Sequence, residues 1–169
     1  MSYHIVYYGN ETLRQVAEEV SNIDQEVIDL IDVMFNIMYK ERGIGLAAPQ
    51  VDVSRRILGI DLESYKGPVM ALVNPQIVET SDDLVAYEEG CLSVPGIMRD
   101  IDRPSKILVK GITPDEKEVE FEADGLLARV LQHEIDHLNG TLFIDHLESF
   151  ERNELRKNLK KIKKMNKAS

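Results

Sequence analysis

The sequence has 169 residues, the length of one ordinary domain. Its hydrophobic share of 43% and charged share of 30% exclude a largely disordered chain. The net charge of −10 disfavours binding to DNA. No apolar run reaches the roughly 20 residues of a membrane-spanning helix, and the N-terminal residues lack a targeting pattern. We therefore expect a cytoplasmic protein with no membrane partner.

The charge is unevenly distributed along the chain. Residues 148–169 hold eight basic and three acidic side chains, a net charge of +5. The preceding 147 residues hold 12 basic and 27 acidic side chains, a net charge of −15. We expect a single catalytic domain over residues 1–147. A basic C-terminal helix over residues 148–169 would pack on it or extend from it.

Hydrophobic spacing predicts the secondary structure in chain order. A helix is expected over residues 23–39, capped by Ser21 or Asn22 and ending before Gly43. A second helix should begin at Asp124 and end at Gly140, and a third should cover residues 147–164. Strands separated from helices in this way predict an α+β fold. The expected strands are residues 56–60, 69–73, 76–85, 106–110 and 117–121.

The sequence His-Glu-Ile-Asp-His at residues 133–137 is the strongest chemical signal. Histidines at positions i and i+4 project from the same side of a helix, so His133 and His137 can bind one cation. Glu134 can act as a general base beside it. The apolar face through Leu126 and Val130 continues into the histidines, and two buried histidines without a shared partner would be costly.

A catalytic metal site needs a third protein ligand. The longer zinc-protease pattern fails because Phe143 stands where it requires histidine. Cys91 is the only cysteine of the chain and lies in a turn-like segment, and its thiolate suits zinc or ferrous iron. It is favoured over three glutamates of the charge-rich final helix, Glu148, Glu151 and Glu154.

Residues 43–50 read Gly-Ile-Gly-Leu-Ala-Ala-Pro-Gln and are typical of a loop that approaches a ligand. Gln50 could donate a hydrogen bond to a developing oxyanion. By itself, however, this segment is more typical of a small-residue connection between a helix and a strand, with Gln50 in solvent.

Together the three segments resemble the peptide deformylases, which remove the N-formyl group from nascent bacterial polypeptides. The family patterns G-x-G-φ-A-A-x-Q, E-G-C-φ-S and H-E-φ-D-H (φ, apolar) match GIGLAAPQ at 43–50, EGCLS at 89–93 and HEIDH at 133–137. The order, spacing and length suit the compact bacterial form. The resemblance implies an α+β fold of antiparallel β-sheets around a central metal-binding helix, with a long N-terminal and a C-terminal helix.

The resemblance also implies a role for each matching position. Cys91, His133 and His137 would bind one divalent metal ion, with water as the fourth ligand. Glu134 would move the proton to the leaving amine, while Gln50 and the backbone N–H of Leu92 would stabilise the oxyanion. Fe²⁺ is the usual ion in this family, and Zn²⁺, Ni²⁺ or Co²⁺ can replace it.

An N-formylmethionyl peptide is the substrate that the resemblance implies. Its first side chain would contact Ile44, Gly45, Tyr87, Leu126, Val130 and His133. Glu89 and the backbone of Gly43–Gly45 would bind the peptide main chain. Arg129 is left out of this site because its side chain could point outward, and a role for Arg99 is in doubt.

Two other classes compete with this hypothesis. An endopeptidase built on residues 133–137 is weakened by Phe143, and a structural zinc site usually has four protein ligands. His4, expected in an edge strand, and His146, expected in a turn, are interpreted as structural or solvated. The basic C-terminal helix is either a solvated surface or a contact to ribosomal RNA.

Overall fold

The computed structural model describes residues 2–166 and has the predicted α+β architecture. Lys167, part of the predicted basic helix, lies outside these residues. Helix α1 covers Gln25–Lys40, α2 covers Gly125–Leu138, α3 covers Ser149–Glu154 and α4 covers Arg156–Met165. The strands are β1 Gly45–Ala47, β2 Ile57–Asp61, β3 Val69–Thr80, β4 Leu84–Cys91, β5 Val94–Pro104, β6 Lys106–Ile112 and β7 Glu118–Asp124.

The strands form two antiparallel sheets. Five of them form one sheet in the order β1-β2-β3-β6-β7, and β4 pairs with β5 in a separate two-stranded hairpin. Alternation of side chains along β2 sends Ile57 and Leu58 to opposite faces of the larger sheet. Ile57 packs in the cluster that contains α1, and Leu58 packs in the cluster that contains α2. The larger sheet is thus covered by one helix on each face.

A third apolar cluster joins the hairpin to the C-terminal helices. Val94, Ile97 and Ile101 of β5 pack with Phe143 and with a buried stripe on the last helices. That stripe consists of Leu155, Leu159 and Ile162. The apolar face of the C-terminal segment is therefore buried against the hairpin, and the lysines on its other face are exposed.

The helices begin and end close to their expected positions. Helix α1 is capped by Asp24, whose side chain accepts a hydrogen bond from the Val27 backbone N–H at 3.0 Å, and not by Ser21 or Asn22. Asp124 precedes α2 as expected but makes no side-chain capping bond. The predicted C-terminal helix is divided at Leu155, whose N–H bonds the Arg152 carbonyl, three residues back.

The strands depart further from the prediction. The expected strands 69–73 and 76–85 form one irregular strand that ends at Thr80. Its irregularity lies at Asn74, which has a φ of 51° and whose side-chain amide exchanges two hydrogen bonds with the backbone of Val20. The sequence predicted neither β1 nor β5, and of β4 it predicted only the first two residues. His4, expected in an edge strand, lies exposed outside any strand. Among residues 2–166, none of the helices combines the length and hydrophobicity needed to span a bilayer.

Candidate active site and metal centre

Helix α2 and the β4–β5 hairpin bring three potential metal ligands together. His133 and His137 lie one turn apart on α2, and Cys91 is the last residue of β4. Their ligand atoms all lie within 4.8 Å of one another, and Cys91 Sγ is 3.3 Å from His137 Nε2. A thiol and two imidazoles at such distances form a donor set that suits one zinc or ferrous ion.

His133 is oriented by a buried carboxylate. Its Nδ1 lies 2.9 Å from Glu89 Oε1, and Glu89 is only 5% exposed. This contact occupies Nδ1, so Nε2 is the ring nitrogen that could bind a metal ion. Metal-binding histidines commonly have such a partner, because it fixes both the tautomer and the ring orientation.

Glu89 is the centre of a buried network of charges. Arg103 donates to both carboxylate oxygens of Glu89, at 2.7 and 3.0 Å, and Arg129 donates to Oε2 at 2.8 Å. Arg103 also donates to Asp136 at 2.8 Å, and Asp136 contacts His146. Burial alone would raise the pKa of Glu89, but the hydrogen bonds from His133 and Arg103 outweigh it and hold that pKa far below its usual range.

Glu134 is positioned to exchange a proton. Burial raises its pKa to about 7, against the opposing charge of His133. A carboxyl with a pKa near neutrality can both accept and release a proton. Its Oε1 is buried and has no hydrogen-bond partner within the described part of the chain, so a polar ligand beside it would satisfy that atom.

His137 is the least exposed of the three ligand candidates. Burial and the positive charges around it lower its pKa, which favours the neutral imidazole that binds metals. Its Nδ1 has no hydrogen-bond partner among residues 2–166. Its ring packs edge-on against His133, with 5.2 Å between the centroids.

The segment at residues 43–50 closes the site from the opposite side. The Gln50 side-chain carbonyl accepts a hydrogen bond from the Ala47 N–H at 2.9 Å, so its NH₂ group faces Ser93 Oγ at 3.2 Å and Cys91 Sγ at 3.5 Å. A Cβ atom at Gly45 would lie 2.6 Å from Glu134 Oε2. Glycine is therefore required at position 45 for the backbone to approach the carboxylate.

These residues surround a cleft of about 850 Å³. The floor of the cleft contains His133, Glu134 and Cys91, whereas His137 lies behind them and does not line it. Every other residue assigned to the site from the sequence lines the cleft, namely Gly43, Ile44, Gly45, Gln50, Tyr87, Glu89, Leu92, Leu126 and Val130.

Some side chains differ from expectation. The carboxylate of Glu89 is used by Arg103, Arg129 and His133, so it is not available to bind a peptide main chain. Arg129 is buried and lines the cleft instead of pointing outward. His146 contacts Asp136 from a short 3₁₀ turn. Sequence reasoning missed Arg103 because β5, on which it lies, was not predicted.

The sequence and structure are similar to those of characterised proteins. A family model described as polypeptide deformylase matches residues 2–153. A peptide deformylase of Hydrogenovibrio crunogenus is 52% identical over 88% of this chain and 87% of that protein. The crystal structure of a peptide deformylase from Legionella pneumophila has 42% identity and a TM-score of 0.88, covering 98% of this chain and 97% of that one. The crystal structure of a Synechococcus elongatus peptide deformylase in complex with actinonin has 44% identity and a TM-score of 0.87, covering 94% of this chain and 86% of that one.

A Cys-His-His donor set with both histidines buried, beside a glutamate and a cleft, defines a metal-dependent hydrolase. With 152 residues matched by the family model and close relatives over nearly the whole length, the chain belongs to the polypeptide deformylase family. The protein is thus an enzyme that uses a divalent metal to remove the N-formyl group from nascent peptides.

The Glu89 network predicts an acid-sensitive stability. Because the pKa of Glu89 is lowered on folding, its contribution to stability is complete above the unfolded value of about 4.5 and is lost progressively as the pH falls from there towards the much lower pKa of the folded state. In metal-free protein at pH 7, we expect Glu89→Gln to lower the free energy of unfolding by about 3 kcal/mol, since it leaves buried arginines without their partner. Urea unfolding at about pH 7 and about pH 3 measures this difference in the free energy of unfolding, which should shrink at the lower pH.

Glu88→Gln is the matched control, because Glu88 is the neighbouring carboxylate on β4 and is exposed. It should change stability by less than about 0.5 kcal/mol at either pH. An equal effect of the two substitutions would contradict the assignment of Glu89 as the centre of the network.

Proposed function

We propose that Cys91, His133 and His137 bind the divalent ion of this deformylase and that Glu134 transfers the proton. The observation that supports this best is the convergence of the three ligand atoms next to a buried glutamate with a raised pKa. The bound ion supplies a Lewis acid that polarises the formyl carbonyl and lowers the pKa of water.

The chain's own residues then account for the remaining chemistry. Glu134 accepts a proton from the water molecule that adds to the formyl carbon. The NH₂ group of Gln50 and the backbone N–H of Leu92 donate to the carbonyl oxygen as it becomes negative. Glu134 returns the proton to the amine nitrogen as the C–N bond breaks, so formate and a free amino terminus are the products.

The substrate is an N-formylmethionyl peptide in an extended conformation. The cleft offers apolar side chains to the methionine, from Ile44, Leu126 and Val130, with Tyr87 at its mouth. The backbone of Gly43–Gly45 would bond the peptide main chain. Glu89, given its buried network, orients His133 and contributes to peptide binding only through its backbone.

Formate release from formyl-Met-Ala-Ser tests these roles. Glu134→Gln should keep the bound metal but lower kcat by about 10²–10⁴-fold, because only proton transfer is lost. Cys91→Ala should lose both metal and activity. Glu122→Gln, an exposed carboxylate on β7, is the control and should behave as the unaltered enzyme. Loss of metal in Glu134→Gln would contradict its assignment to proton transfer.

Fe²⁺ is the ion that we propose for the enzyme in the cell, with Zn²⁺, Ni²⁺ or Co²⁺ as substitutes. The mixed thiolate and imidazole donors support any of these ions. Zn²⁺ has no redox chemistry, whereas Fe²⁺ beside the Cys91 thiolate is open to oxidation. We expect air to inactivate the iron-loaded enzyme at least about tenfold faster than the zinc-loaded enzyme, as measured by residual formate release. Equal air stability of the two would contradict this.

We also propose that residues 1–147 form the catalytic domain and that the basic C-terminal segment, residues 148–169, contacts the ribosome in the cytoplasm. The lysines of α4 are exposed while its leucine and isoleucine, Leu159 and Ile162, are buried, so the basic face is free to meet phosphates. Deleting this helix would remove Leu155, Leu159 and Ile162 from the third cluster. Reversing the charge of exposed lysines leaves that apolar stripe in place, so it tests ribosome binding without disturbing the fold.

The test is co-sedimentation with ribosomes at low salt. Reversing Lys157, Lys160 and Lys164 to glutamate should reduce the bound fraction at least about tenfold, because several phosphate contacts are lost. The control reverses the exposed Lys106, Lys110 and Lys117, far from the helix in sequence. An unchanged bound fraction in the helix variant, or an equal loss in both variants, would refute a specific contact.

A further inference from the structure

The first half of β4 is held in place with little apolar packing. Its residues from Leu84 to Glu88 are all exposed, and the hairpin pairs with no strand of the larger sheet among residues 2–166. Yet Tyr87 from this exposed stretch lines the cleft. The third apolar cluster holds β5, but the exposed side chains of Leu84–Glu88 give this part of β4 no buried apolar contact of its own, so polar contacts to α2 are needed to set its position.

Arg129 of α2 makes the contacts that fix it. Its Nη2 donates to the Val85 carbonyl at 2.7 Å, and its Nη1 donates to the Ile101 carbonyl at 2.7 Å. Val85 is two residues before Tyr87, and Ile101 is the residue paired directly with Tyr87 across the hairpin. The guanidinium carbon also lies 5.6 Å from the centre of the Tyr87 ring. One side chain thus anchors the backbone on both strands around Tyr87 and contacts its ring.

Neutralising Glu89 does not account for this arrangement. Arg103 already forms two hydrogen bonds with that carboxylate. The contacts that only Arg129 makes are those to the two carbonyls and to the Tyr87 ring.

We propose that Arg129 is a positioning residue that sets selectivity for the first side chain of the substrate by holding Tyr87 as a wall of the cleft. This inference rests on the proposed assignment of the cleft to that side chain. Since the wall contacts the side chain and not the formyl group, it affects ground-state binding and the transition state alike. Its loss therefore raises KM more than it lowers kcat.

The experiment compares kcat/KM for formyl-Met-Ala-Ser with kcat/KM for formyl-Gly-Ala-Ser. The glycine peptide has no side chain to meet the wall. In Arg129→Met, we expect the Met-to-Gly ratio to fall about tenfold, the scale of losing charged hydrogen bonds, with the change mainly in KM. A general loss of structure would lower both values together and leave the ratio unchanged.

Arg56→Met is the matched control. Arg56 also donates to backbone carbonyls, at Leu138 and Ala17, but it anchors the other end of α2 and does not line the cleft. This variant should keep the Met-to-Gly ratio within about twofold of the unaltered enzyme. A ratio lowered equally in both arginine variants would overturn the proposal.

A double-mutant cycle tests whether Arg129 acts through Tyr87. Tyr87→Ala removes the wall but keeps the arginine, and it should lower the Met-to-Gly ratio itself. Adding Arg129→Met to Tyr87→Ala should then change the ratio by less than about twofold, because the two residues act as one unit. Additive effects would overturn the proposal. If Arg129→Met does not fold, Arg129→Lys, which keeps the charge but cannot reach both carbonyls, replaces it in the cycle.

The outcomes separate this inference from the proposed function. Absence of formate release by the metal-loaded, unaltered enzyme would refute the proposed site. Normal release with an unchanged Met-to-Gly ratio in Arg129→Met would refute only the role of Arg129.

Discussion

The buried carboxylate of Glu89 receives hydrogen bonds from side chains on two separate elements, and the geometry of the site depends on it. Arg103 approaches it from β5, while Arg129 and His133 approach it from α2. Among residues 2–166, the hairpin makes no strand pairing with the larger sheet, on which α2 packs. This network therefore supplies the polar contacts that set the distance from Cys91 to the histidines. Such a network is costly to desolvate and is stable only when every member is paired. Its physical effect is a defined geometry more than a large gain in stability.

The same network connects the substrate cleft to the metal ligands. Arg129 contacts Glu89 on one side and the backbone around Tyr87 on the other. Glu89 in turn orients His133. The Tyr87 wall of the cleft and the imidazole of His133, the proposed metal ligand, are therefore held by one set of hydrogen bonds. Gly45 completes the arrangement from the opposite side, because only a residue without Cβ fits against Glu134.

The C-terminal segment has two different physical roles on its two faces. Its apolar stripe packs with β5, directly behind the hairpin that bears Cys91. Its end is joined to the N-terminal segment, where the Asn166 side chain bonds the backbone of Tyr7 on both its N–H and its carbonyl. The basic side chains on the other face are exposed, although the stem of Lys163 packs against Gly9. A surface charge pattern can therefore vary here without disturbing the site.

The sequence by itself determined the α+β class, both long helices and the chemical nature of the site. Helical periodicity and the spacing of His133 and His137 are local properties, and the three motifs together identified the family. It did not determine strands β1 and β5 or most of β4, because a strand is defined by its pairing partners as much as by its own composition. Nor did it reveal that Arg129 is buried or that the carboxylate of Glu89 hydrogen-bonds and orients the His133 ring. A charged side chain is predicted to be exposed unless its partners are known, and here the partners are 14 to 44 residues away in the chain, so only the tertiary structure could bring them together.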